Sequence, residues 1–198
     1  MSIAIFDLDG TLLTNPDRKW EKGEFTWDAF LDEMDNSQPI HSTIELMKWH
    51  HAMGHKVVIC TARPSWTHER TKQQLAEIAD IVIGGLHTNS VIMRPYDLVM
   101  TESQRIEQCG DMTEVYQVLR EEHAKYRRWA CDKYSLKLEL ETHRKLWPAH
   151  KRVVYAYDDQ VENLEIWRDE LGANIYQVLP DKTISGVEKF TNKGYIFT

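Results

Sequence analysis

Asp7 and Asp9 follow a short apolar run, Ile3-Ala4-Ile5-Phe6, and lead at once into Gly10 and Thr11. Side chains alternate along a strand, so both acids are expected on one side, and a glycine lets the chain turn directly after them. Two carboxylates so placed suit a nucleophile with a helper that moves a proton. The plainer reading is a calcium-binding or turn cluster, because Asp and Gly are common turn formers. What decides between them is the company the acids keep downstream.

Two further apolar runs end in polar groups. Val57-Val58-Ile59-Cys60 leads into Thr61-Ala62-Arg63, and Val153 to Tyr157 leads into Asp158 and Asp159. Continuous apolar runs of this kind are expected of parallel strands covered on both faces. Between them the spacing turns helical, with Trp27, Phe30, Leu31 and Met34 in the segment 26–34, and Ile40, Ile44, Met47 and His51 in 39–52, which Gly54 is placed to end. A helix over 66–79 buries Leu75 and Ile78, a strand follows at Ile81 to Ile83, and Val91 to Met93 adds a short one before Pro95. Val161, Leu164, Trp167 and Leu171 mark a helix closed by Gly172, and 175–179 a last strand. This alternation predicts an α/β fold of three layers, Rossmann-like, around a mainly parallel sheet. Ligands of such sheets gather beyond the carboxyl ends of the strands. Asp7 and Asp9, Thr61, and Asp158 and Asp159 then meet at one edge.

The alternation breaks between 96 and 133, which reads as a helical insertion within one domain spanning 1–198. Asp111 and Glu114 make a helix-starting box, and Val115, Tyr116, Leu119, His123, Tyr126 and Ala130 recur at helical intervals. Lys125-Tyr126-Arg127-Arg128-Trp129 is the densest mixture of cations and aromatics; it can hold phosphates and stack bases, or be a solvated helix face with Trp129 turned inward. A further helix over 136–146 carries Lys137. His50, His51 and His55 have no acid or cysteine ligand close in sequence and read as structural.

Composition narrows the class. With 198 residues, 42% hydrophobic and 28% charged, the chain is an ordinary globular domain, and its net charge of −7 argues against a broad nucleic-acid surface. Three cysteines without metal spacing suit a reduced, cytoplasmic setting, and no stretch reads as a signal peptide or membrane span.

The segment Asp7-Leu8-Asp9-Gly10-Thr11 resembles the first motif of the haloacid dehalogenase (HAD) superfamily, and Thr61, Lys137 and Asp158-Asp159 follow in the order of its later motifs. That resemblance implies a HAD fold with a minimal cap, hence an open site, and a phosphatase rather than a dehalogenase or transport ATPase, since the second acid is present. It implies Asp7 as the nucleophile forming an aspartyl phosphate, Asp9 as the acid that protonates the leaving group and later activates water, and Thr61 and Lys137 as partners of the phosphoryl oxygens. Packed carboxylates repel unless a cation sits among them, and oxygen donors without soft ones favour Mg²⁺, held by Asp7, Asp158, Asp159 and the main-chain carbonyl of Asp9. The chain is also similar to the phosphatase domains of bacteriophage polynucleotide kinase-phosphatases, which act on nucleic-acid 3′ ends. The similar features are Thr61-Ala62-Arg63, Met93-Arg94 before Asp97, and Asp158-Asp159-Gln160 with Trp167-Arg168 and Gly172 beyond. By that likeness Thr11, Arg63 and Arg94 are expected to bind substrate, a phosphorylated nucleotide or a polynucleotide 3′ end. A phosphatase of another small metabolite and a non-catalytic phosphate-binding scaffold are the alternatives. No phosphate-binding loop of the kinase type occurs in the sequence.

Overall fold

The apolar runs assemble into a six-stranded sheet in the computed structural model, which describes residues 2–15, 27–83, 90–95, 121, 125, 126, 128 and 153–186. β1 (Ile3–Phe6) is flanked by β2 (Lys56–Pro64) and β4 (Val154–Asp158). β3 (Ser90–Arg94) lies outside β2, and β5 (Asn174–Val178) and then β6 (Ile184–Gly186) lie outside β4. All neighbours run parallel except β6, which is antiparallel to β5. The α/β reading with a mainly parallel sheet holds.

Strand alternation divides the core into two layers of side chains. Ile3, Ile5, Val58, Cys60, Val154 and Ala156 face one side, where Leu164, Trp167 and Leu171 of α4 (Val161–Leu171) cover them. Ala4, Phe6, Val57, Ile59 and Tyr157 face the other, covered by α1 (Trp27–Met34), α2 (His41–Ala52) and α3 (His68–Ala79) through Met34, Ile44, Met47 and Leu75. Each buried Val, Leu, Ile, Phe or Met among them contributes about 1.5–3 kcal/mol. With no water-facing strand side in this centre, β1 is fixed in place, and so is whatever follows it.

Some expectations shift. Ile81 to Ile83 is not a strand of the sheet; Val91 to Met93, in β3, takes the place beside β2. Asp80 turns left-handed (φ 52°) at the end of α3, and the Ile81 amide closes back on the Leu75 carbonyl at 3.0 Å. The apolar residues there end a helix, with Ile81 buried and Val82 half-exposed. On α2 the buried histidine is His50 rather than His51, because Tyr157 offers a hydroxyl on that side. Residues 65–67 form a separate turn of 3₁₀ helix before α3, and Ile78 is only partly buried.

Of the inserted segment, the described residues 121, 125, 126 and 128 are helical. Tyr126 is buried in the core, its hydroxyl donating to the Ile92 carbonyl at 3.0 Å, while Lys125 and Arg128 are exposed and Arg128 reaches Glu170 at 3.7 Å. Tyr126 therefore packs the sheet. Arg127, Trp129, the helix over 136–146, Lys137 and the C-terminal tail lie outside the described residues. Among the described residues, no helix is long and apolar enough to cross a membrane.

Candidate active site

Three of the expected acids meet. The Asp7 amide bonds the Tyr157 carbonyl at 2.9 Å, so the β1–β4 ladder continues to the acid itself. The parallel register that pairs Phe6 with Tyr157 brings Asp7 beside Asp158, the last residue of β4. Carboxylate oxygens of Asp7, Asp158 and Asp159 lie within 4.8 Å of one another. Asp158 is fully buried, and one of its oxygens accepts from the Gln160 amide at 2.9 Å and the Asn163 side chain at 3.1 Å. Asp159 accepts from the Asn15 side chain at 3.3 Å through Oδ2, and its Oδ1 is buried without a hydrogen-bond partner among the described residues. Burial, and next the charge of Asp7, push the Asp159 carboxyl up to about 7. Hard oxygen donors that repel one another, one with an unsatisfied buried atom, fit a divalent cation such as Mg²⁺. The triad can hold a metal ion.

Asp9 stands apart from that triad. β1 ends at Phe6, so strand alternation does not carry Asp9; a tight turn does, in which the Leu8 carbonyl accepts from the amides of Leu12 at 2.9 Å and Leu13 at 3.0 Å. Gly10 sits inside this turn at φ +88°, and a Cβ there would lie 2.5 Å from Asp159 Oδ2 and 2.6 Å from the Asn15 side-chain nitrogen. Only a residue without a side chain fits both the turn and the triad. The Asp9 carboxylate faces Arg63, which donates from Nε to Oδ2 at 3.0 Å and from Nη2 to Oδ1 at 2.7 Å. Both side-chain oxygens of Asp9 are thus taken up by one guanidinium.

The reach of Arg63 comes from β2. The strand runs on through Thr61 to Pro64, and its register against β3 slips between those two residues, so Ala62 and Arg63 are extra on the β2 side. Such a bulge re-aims side chains. The Thr61 hydroxyl accepts from the Arg63 amide at 3.2 Å inside it. Thr11, Thr61, Arg63 and Arg94 are all buried; the Arg94 guanidinium lies 5.8 Å from the centre of the Tyr126 ring, and the Thr11 hydroxyl has no partner among the described residues. Three polar residues escaped the sequence reading. Asn15 and Asn163 hold Asp159 and Asp158, and Gln74 holds Arg63 with a 2.7 Å bond from Nη1. Asn163 had a signal, a polar residue in the first turn of the helix that follows the acids. Asn15 had none, because its partner lies 144 positions away, and Gln74 is one polar residue among several on its helix.

No protein-family model matches this chain, and no curated protein matches it. Solved structures do. A chain in a structure of the Pnkp1/Rnl/Hen1 complex matches 90% of this chain at 18% identity with a TM-score of 0.51, over 46% of its own length. A chain in a structure of the Pnkp1/Rnl/Hen1 RNA repair complex matches the same 90% at 18% identity with a TM-score of 0.50, over 42% of its own length. This chain thus spans less than half the length of the solved chains it matches, and what it shares with them at that identity is the fold.

Proposed function

We propose that the protein is a Mg²⁺-dependent phosphomonoesterase of the HAD type that removes phosphate from a nucleotide or a polynucleotide 3′ end. The observation that carries this is the meeting of Asp7 with Asp158 and Asp159 at the carboxyl edge of the sheet, with Asp9 two residues on and held separately. In this reading an Asp7 oxygen attacks phosphorus in line, and the ester oxygen leaves as an alcohol with a proton from Asp9. Water, deprotonated by Asp9, then splits the aspartyl phosphate and returns Asp7 as carboxylate with release of inorganic phosphate. Mg²⁺ among Asp7, Asp158 and Asp159 supplies positive charge against the phosphoryl oxygens. Lys137 and Thr61 serve those oxygens too, with Thr11 and Arg94 bordering the same edge. The likeness in fold to chains of an RNA repair complex supports a nucleic-acid end as substrate. The test is a panel of 3′- and 5′-mononucleotides and 3′-phosphorylated oligonucleotides, assayed with Mg²⁺ and with EDTA. Phosphate release from 3′-phosphates with Mg²⁺ alone, lost in Asp7→Asn, is expected. Inactivity on the whole panel, or an unchanged rate in Asp7→Asn, sinks the reading.

A further inference from the structure

Asp9 is connected to the rest of the molecule through a buried chain of hydrogen bonds that leads away from the acid triad. Beyond its two bonds to Asp9, Arg63 donates from Nη1 to Gln74 Oε1 at 2.7 Å and to Thr71 Oγ1 at 3.2 Å. Gln74 and Thr71 stand three residues apart and so share a face of α3. From its other end, Gln74 donates Nε2 to the main-chain carbonyl of Met34, the last residue of α1. One turn earlier on α3, Arg70 bonds Asp32 at 2.8 Å and Asp35 at 2.6 Å. The last turn of α1, α3 and Asp9 are therefore one hydrogen-bonded unit, and Gln74 is its middle.

The choice of glutamine has a chemical reason. A guanidinium presents donors along fixed directions in one plane, so a carboxylate taken by two of them inherits the orientation of that plane. The plane is fixed only if the far nitrogen is also held. A neutral acceptor does this without competing for the charge of Arg63, as a second carboxylate there would. The amide of Gln74 supplies the acceptor and, with its own N–H, reads the position of α1.

We propose that Gln74 is a positioning residue for Asp9, fixing the Arg63 fork that aims the Asp9 carboxylate and setting that aim by the place of the last turn of α1. This rests on the reading of Asp9 as the acid and base of a phosphomonoesterase. The test compares wild type with Gln74→Leu and with Gln74→Met, which keeps the side-chain length should leucine not fold. Proton exchange at Arg63 Nε–H is followed by NMR without any substrate, kcat and KM are measured on a 3′-nucleotide, and the pre-steady-state burst of p-nitrophenol is followed on p-nitrophenyl phosphate, whose leaving group needs little protonation in the first step.

Arg63 Nε–H is expected to be protected in wild type and to exchange about tenfold faster in the variants, with kcat on the 3′-nucleotide down about tenfold, KM within about twofold, and the p-nitrophenol burst, which reports the first step alone, nearly unaffected. Fast exchange in wild type, unchanged exchange in the variants, or a burst slowed as much as turnover of the 3′-nucleotide overturns the proposal. A raised KM at unchanged kcat overturns it as well, since that makes Arg63 a substrate ligand. If wild type hydrolyses no monoester while Nε–H protection depends on Gln74, the network stands and the phosphatase reading fails.

Discussion

Two groups of carboxylates lie within a few residues of each other and are treated in opposite ways. Asp7, Asp158 and Asp159 crowd together within 4.8 Å, and Asp159 responds by holding its proton up to about 7. Asp9 receives a full guanidinium fork from Arg63, itself anchored on Gln74 and Thr71. Like charges gathered at this density are costly unless a cation joins them. Asp9 has its cation in direct contact. The first group can hold a metal ion, and the second is organised by the protein's own guanidinium.

Gly10 is where this contrast is most easily broken. A methyl group there strikes Asp159 Oδ2 and the Asn15 nitrogen and must also adopt φ +88°, whereas no Arg63 atom is among its nearest neighbours. Gly10→Ala is therefore expected to damage the triad and spare the Arg63–Asp9 pair. The proposed phosphatase activity should fall on the order of a hundredfold and the affinity for added Mg²⁺ on the order of tenfold, with about 1–2 kcal/mol of stability lost to backbone strain. Calorimetric titration of Mg²⁺ beside the Arg63 Nε–H signal separates the two groups. Loss of that signal together with Mg²⁺ binding would mean that they are one site.

A second effect follows from the titration of Asp159. Its folded pKa lies near 7 and its ordinary value at 3.8, so the folded chain holds the extra proton between these limits. Stability from this group is full below about 4, is lost as pH rises toward 7, and stays lost above, on the order of 3 kcal/mol in all. Mg²⁺ favours the ionised form. The gain in Tm on adding Mg²⁺ should accordingly be larger at about pH 8 than at about pH 5, and Asp7→Asn, which removes one of the charges that raise Asp159, should flatten the metal-free slope. Equal Mg²⁺ gains at both pH values would show that Asp159 does not face the ion.

The sequence carried the sheet well because its strands are buried on both faces, and burial on both faces leaves an apolar run that needs no partner to be seen. Ile81 to Ile83 misled for the same reason. Three apolar residues look alike whether they pair in a sheet or fold back over the end of α3, and the left-handed Asp80 that decides it leaves no periodic mark. The acids were legible because each ends such a run. Their supports were not: Asn15 reaches Asp159 across 144 positions, and Gln74 is one polar residue among several on α3. The strand alternation expected to place Asp7 and Asp9 stops short of them, because β1 ends at Phe6 and the Leu8 turn carries Asp9 instead.

Burial acts on a base with the opposite sign, and the smallest of the expected effects uses that. His50 lies 2.9 Å from the Tyr157 hydroxyl through Nε2 and 2.7 Å from His55 Nδ1 through Nδ1. Burial pushes the Tyr157 phenol up, so it keeps its proton, and both ring nitrogens of His50 are engaged, one by the phenol and the other by His55. Desolvation, and next His55, lower His50 to about 4 from 6.5. The unfolded chain binds a proton in that window and the folded chain does not, so stability is lost as pH falls from 6.5 toward 4, on the order of 2 kcal/mol. His50→Gln can still hydrogen-bond Tyr157 but cannot titrate, and it should flatten this acid limb. Because His50 belongs to the apolar layer under α2, Mg²⁺ should leave the limb where it is, in contrast to the Asp159 slope. A Mg²⁺-dependent acid limb would tie the histidine pair to the acid triad through Tyr157, whose strand neighbour is Asp158.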